Sequence, residues 1–276
     1  MSAGIDGVRR AAGRNISERM EKLMRVGFFT KGVVYLILGV LAASAALGSG
    51  GQVTGSKGAI SVLGSQPFGT FLLWLVGFGL AAYALWRLAS AIIDPENEGS
   101  DAKGIAKRVG YLVSGILHTA LAVAVFQMAA GSGSSGGNRQ TWIAMVMQES
   151  VGRWLIFILG IGAIAAGLKQ LVSAKRADFH KTLRTSRMSP KLFRAVTALG
   201  RLGFAARGVV FGIIGYYAAR AALNTNPSQV VGIGGALRKL STSTGDAILL
   251  VIVALGLAAY GVYMLVASRY RAFPAR

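Results

Sequence analysis

The stretch Arg25-Val-Gly-Phe-Phe-Thr-Lys-Gly-Val-Val-Tyr-Leu-Ile-Leu-Gly39 returns twice along the chain. Its head reappears as Arg108-Val-Gly-Tyr-Leu-Val-Ser-Gly115 and as Arg201-Leu-Gly-Phe-Ala-Ala-Arg-Gly208. The shared pattern is Arg, aliphatic, Gly, aromatic, two residues, a polar residue, Gly. Each copy opens an apolar run of the length a spanning helix needs, about 20 residues at 1.5 Å rise. Three further apolar runs alternate with these. The six lie near 28–48, 69–93, 109–130, 154–174, 203–223 and 247–267. None alternates with the period of two that a barrel strand requires. The expected fold is therefore all-α: a polytopic membrane protein with six transmembrane helices.

Composition agrees. The 276 residues are 53% hydrophobic and 14% charged, against roughly 25% charged in a soluble chain. The formal charge of +20 comes from 30 Lys+Arg and 10 Asp+Glu. Such a balance in water would suggest nucleic acid. Here the cations flank apolar runs, so anionic lipid headgroups are the expected partner, with the bilayer itself and another membrane protein. There is no cysteine, which excludes disulfides and thiolate metal sites. Residues 1–26 are polar and basic and contain no short apolar core before a small-residue cleavage site, so the first run is expected to be retained.

The repeat period is 83 residues and then 93, the extra length falling in the basic connection Lys175–Arg194. Each unit has a first spanning helix, a Gly/Ser-rich loop and a short semi-apolar helix (Ala59–Leu63, Trp142–Met147, Ala236–Leu240). A second spanning helix follows, carrying Gly79, Gly162 or Gly256. The boundaries are a basic N-terminal segment 1–24, a first unit 25–94, a connection with the second unit 95–178, and a basic connection with the third unit 179–276. Within the first segment, Ile16, Met20, Leu23 and Met24 share one helical face, which predicts an amphipathic helix over residues 15–24. Each unit enters and leaves on one side, so the three tandem repeats are parallel. A pseudo-threefold arrangement is the simplest packing, with close approach at Gly77-x-x-x-Ala81, Ala163-x-x-x-Gly167 and Gly208-x-x-x-Gly212. Of the 30 Lys and Arg, 24 lie in or beside the connections on one side. This predicts both termini in the cytoplasm of a bacterial plasma (inner) membrane.

The pattern R-[VL]-G-[FY]-x-x-[KSR]-G, the Tyr83/Trp86 end of a second helix and the pair Asp94-Pro95 before the next copy resemble the bacterial DUF1206 family over nearly the whole chain. The resemblance implies a polytopic protein of repeated helix pairs and no assigned activity. The third unit departs from it: Gly256 is shifted by one position and no Asp-Pro follows.

All ten acidic residues lie in termini or connections. Ion-coupled carriers and carboxylate metal sites place an acid at depth, so neither is expected, nor an enzyme, a cofactor or a metal. Arg25, Arg108, Arg201, Lys31 and Arg207 are candidates for an anion or lipid-headgroup site; the bland alternative is ordinary positive-inside anchoring with snorkelling side chains. His118 is the ionisable group deepest in a helix. It and Gln127 are candidate intramembrane polar residues, and the favoured reading is a neutral His hydrogen-bonded between helices, with Gln127, Thr119 or Ser114 as partner. His180, in the basic connection, is expected to be solvated. The functional expectation is a structural or accessory protein that binds a partner complex or anionic lipid. The alternative is a small pore or carrier for an anion or apolar solute along the threefold axis.

Overall fold

The computed structural model describes all residues except 1, 50, 52, 96, 133–138, 244–246 and 273–276; side chains of 2–20, 139–142, 241–243 and 247 lie outside the description as well. Nine α-helices are described: α1 Ser2–Ala46, α2 Ser56–Gly64, α3 Gly69–Ile92, α4 Ala102–Ala129, α5 Arg139–Gln148, α6 Ser150–Arg176, α7 Pro190–Leu223, α8 Ile233–Ser243 and α9 Ala247–Tyr270. Six are long and apolar enough to span a bilayer: α1 from Glu21 onward, α3, α4, α6, α7 and α9. The short helices α2, α5 and α8 fall on the three semi-apolar segments. The chain is thus an all-α, multi-pass membrane protein of three tandem units.

Helix starts follow local chemistry. Asp101 caps α4, its side chain accepting from Gly104 N at 2.9 Å. Ser189 caps α7 ahead of Pro190, whose missing N–H costs nothing in the first turn. The connection before α4 is closed by Asp94, whose carboxylate accepts from the backbone of Glu98 and Gly99. No break separates the basic N-terminal segment from the first span; α1 runs through both. Ile16 and Met20 of the expected amphipathic face lie outside the described side chains, while Met24 is buried in the core.

Every packed pair of spanning helices is antiparallel, and glycine sets the register. A Cβ placed on Gly115 of α4 would sit 2.7 Å from Leu88 Cδ2 of α3. The same construction puts Gly208 of α7 2.8 Å from Leu171 of α6, and Gly32 of α1 2.9 Å from Leu265 of α9. These glycines occupy one repeat position, and the three leucines another. The seams between successive units are therefore built from equivalent residues. In lipid, where burial of apolar surface gives helices no drive to associate, such close backbone approach supplies the packing.

Seams within units differ. In the first, α1 packs on α3: Gly27 faces Tyr83 and Gly79 faces Thr30. In the third, α7 packs on α9 in the same way, Gly203 on Tyr260 and Gly256 on Ala206. In the second unit, α4 and α6 share no packed interface among the described residues. Gly110 and Gly162, the equivalents of Gly27 and Gly79, meet nothing within 4 Å. Three equivalent hairpins are thus not what forms: one hairpin is open. The second unit has Ala166 where Tyr83 and Tyr260 stand, so the side chain that fills the other two crossings is missing.

The longer connection after α6 folds back into the basic end of the bundle. Ala177, Phe179 and Leu183 are buried. Phe179 stacks on Phe204 with centroids 5.1 Å apart and meets Tyr263 edge-on at 5.3 Å. Backbone bonds from Arg184 to Tyr270 and from Ala272 to Thr182 tie the segment to the end of α9.

A candidate cation–tyrosine cluster

The repeat arginines lie at one end of the bundle, since α1, α4 and α7 are parallel. Two of them spend their donors on helix ends. Arg108 Nε and Nη2 donate to Ala91 O and Ile92 O at 2.8 and 3.0 Å, at the end of α3. Arg25 Nη1 donates to Arg269 O at 2.7 Å, at the end of α9, and its other nitrogens pair with Glu21. Each arginine therefore caps the last carbonyls of the preceding unit's second helix, where a cation is also favoured by the helix dipole. Arg201 is exposed, and its charge bears on His180.

His180 is half-buried, with one side of its ring packed. Its ring lies 4.7 Å from both Phe179 and Phe193, and Nε2 is 3.0 Å from Thr197 Oγ1. Burial, with the Arg201 guanidinium nearby, pushes its pKa below the usual histidine range. The connection folds back so that its own His180 meets Phe193 and Thr197 of α7, a packing event that composition did not signal.

One helical turn and a half further in, about 9 Å along the axis from the repeat arginines, lies a second layer of cations. Lys31 is 8% exposed, and its Nζ donates to Tyr83 Oη at 3.0 Å. Arg87 Nε donates to the same oxygen at 3.0 Å. Arg207 Nη1 donates to Tyr260 Oη at 2.5 Å. Tyr35 bridges the pairs: its ring lies 5.0 Å from that of Tyr260, and the Lys31 and Arg207 cations stand 6.0 and 5.6 Å from it. Among the described residues, Lys31 and Arg207 meet aromatic faces and hydroxyls.

A polar path leads outward from Arg87. Its guanidinium stands 4.7 Å from the Tyr111 ring. Tyr111 Oη donates to Glu98 at 2.7 Å, and Lys107 pairs with the same carboxylate. Burial alone would raise the Glu98 pKa, but the bonds from Lys107 and Tyr111 outweigh it and hold the carboxyl below its usual range.

His118 lies beside this layer, its ring 4.5 Å from that of Tyr83 and Nδ1 2.7 Å from Ser114 O. Gln127 is exposed and does not join it. The structure thus brings together Lys31, Arg207 and His118 and leaves Arg25, Arg108, Arg201 and Gln127 outside. Sequence reasoning missed Tyr83, Tyr260 and the inward turn of Arg87. A signal was present: Lys31 and Arg207 occur in the units that carry Tyr83 and Tyr260, and the unit with Ser114 carries Ala166. Among the described residues, no group of three His, Cys, Asp or Glu could hold a metal ion.

The family model described as Domain of Unknown Function (DUF1206) matches residues 26–94, 109–177 and 202–271. The chain is similar to "Uncharacterized protein YxxB" of Bacillus subtilis (strain 168), with 34% identity over 252 residues, covering 91% of each. No solved structure matches.

Proposed function

The chain belongs to the DUF1206 family, and from that premise we propose that it is a non-enzymatic structural or accessory protein of the bacterial plasma membrane, with both termini in the cytoplasm and anionic phospholipid as its partner. The observation that carries this is the placement of charge. Cations crowd one end of the bundle, and a second layer of them, Lys31 and Arg207, lies about 9 Å further along the helices, where phenols meet them among the described residues. Desolvated cations are costly unless an anion or hydrogen-bond acceptor meets them. Phosphate is the anion that a bilayer supplies.

The column Tyr35, Tyr260, Tyr263, Phe204 and Phe179 counts against a pore. These side chains pack ring to ring, and Phe179 brings the connection that closes the basic end onto the column. Few polar groups remain to line a path.

The test is native mass spectrometry of the full chain in mild detergent, with phosphatidylglycerol and with phosphatidylcholine. Preferential retention of phosphatidylglycerol supports the reading. Equal retention of the two lipids refutes it. Anion flux into proteoliposomes above that of empty vesicles would restore the pore.

A further inference from the structure

The second unit keeps two close-packing glycines that nothing packs against. In units one and three, the equivalents of Gly110 seat Tyr83 and Tyr260, and the equivalents of Gly162 seat Thr30 and Ala206, with Cβ approaches of 2.5 to 2.7 Å. Around Gly110 and Gly162 there is open space. The flanking side chains are reduced as well. Ser114 stands where the other units have Lys31 and Arg207, and Ala166 stands where they have tyrosine. The result is an open cleft between α4 and α6, with Gly110 and Gly162 both exposed.

Behind this cleft is the cation layer. His118, on α4, touches the Tyr83 ring, and the charges of Lys31, Arg87 and Arg207 all bear on it. Arg207 Nε is buried and forms no hydrogen bond of normal geometry among the described residues, although the Tyr35 hydroxyl lies close enough to interact with the guanidinium. The amide oxygen of Gln170, on α6 in the register slot of Arg87, is buried with no hydrogen-bond partner among the described residues. A buried guanidinium N–H without a well-aligned acceptor asks for an anion, and a buried amide oxygen asks for a donor. A phospholipid with a hydroxylated headgroup brings both, and its acyl chains match the exposed apolar faces of Ile116, Leu117 and Ile158.

We propose that one anionic phospholipid enters the bundle sideways between α4 and α6 and sets its phosphate against Lys31 and Arg207. This rests on the reading of anionic lipid as the partner, but it concerns a single intercalated molecule rather than lipid gathered at the basic end.

Native mass spectrometry of delipidated chain titrated with phosphatidylglycerol reads it directly. The wild type is expected to keep one lipid that resists collisional removal. Lys31→Gln/Arg207→Gln, and separately the cleft-filling Ser114→Leu/Ala166→Phe, should lower that one-lipid affinity by about tenfold or more. The second variant removes no cation, so a folding defect from lost charge cannot explain its loss. If both variants hold the lipid as tightly as wild type, the cleft site is overturned while lipid at the basic end still stands. If wild type does not prefer phosphatidylglycerol to phosphatidylcholine, the underlying reading fails as well. Inorganic phosphate that displaces the lipid and protects the fold equally would overturn the lipid as occupant.

The absence of native cysteine gives a second arm. Under a mild oxidant, the open-crossing pair Val113→Cys/Gly162→Cys should not cross-link when lipid is bound. Full cross-linking of that pair in lipid would close the cleft and sink the proposal.

Discussion

Lys31 Nζ reaches Tyr83 Oη at 3.0 Å, and the same two repeat positions in the third unit place Arg207 3.0 Å or less from Tyr260, at 2.5 Å. In both, a cation on the first helix of a unit is held by a phenol on the second. The bond crosses the seam that glycine has already closed. Polar pairing and backbone packing therefore act on one interface, and the second unit has lost both together.

Tyr83→Phe removes the one acceptor shared by Lys31 and Arg87. The variant is expected to lose about 1–3 kcal/mol, the cost of leaving a buried polar group unpaired. Lys31→Met/Tyr83→Phe should recover part of that loss, because the stranded charge goes with its partner. Thermal unfolding in detergent checks both, and a Tyr83→Phe protein as stable as wild type would show that the hydroxyl contributes nothing.

Glycine equivalents should respond unequally. Gly27→Ala and Gly203→Ala bring a methyl to 2.6 Å from a tyrosine Cβ, an overpacking worth about 1–3 kcal/mol. Gly110→Ala meets open space and should be neutral or gain up to about 1 kcal/mol from helix propensity. Melting temperatures of the three variants give the comparison.

The α3–α4 seam predicts a rescue. Gly115→Ala drives a methyl toward Leu88 Cδ2, so it should destabilise. Leu88→Ala, itself unfavourable, should restore room for it. A double-mutant cycle is expected to give a coupling of about 0.5–3 kcal/mol; strict additivity would contradict the seam.

Arg108→Gln strips Ala91 O and Ile92 O of a charged donor at the end of α3. About 1 kcal/mol of stability should go with it. Amide exchange at the α3 C-terminus should quicken while exchange in α9 stays unchanged.

His180 gives the fold a dependence on mild acid. Burial and Arg201 depress its folded pKa, so the neutral ring is the form that fits. The unfolded chain takes up the proton at about pH 6.5. Stability is then complete above that pH and falls as pH drops below it, until the folded protein is protonated too. His180→Asn should flatten the pH dependence of the melting temperature between about pH 7 and 5.

How much was legible differs by feature. Hydropathy and the repeated Arg-x-Gly head place six helices and three units, because a spanning helix must satisfy its backbone internally and present apolar side chains over its whole length. The candidates Lys31 and Arg207 were legible too, since charges inside an apolar run stand out. Arg87 was not, because a cation five residues from a helix end can turn to the interface or to the bundle with equal ease.

Sequence alone determined the fold class, the tandem units and the excess of cations over acids, all of which depend on composition and period along one chain. Only tertiary packing decided that Arg25 and Arg108 cap neighbouring helices, that residues 177–183 fill the basic end, and that α4 and α6 stand apart. Those outcomes depend on which residues meet across seams tens to hundreds of positions apart. There, one change such as tyrosine to Ala166 removes a contact that a retained glycine would otherwise have made.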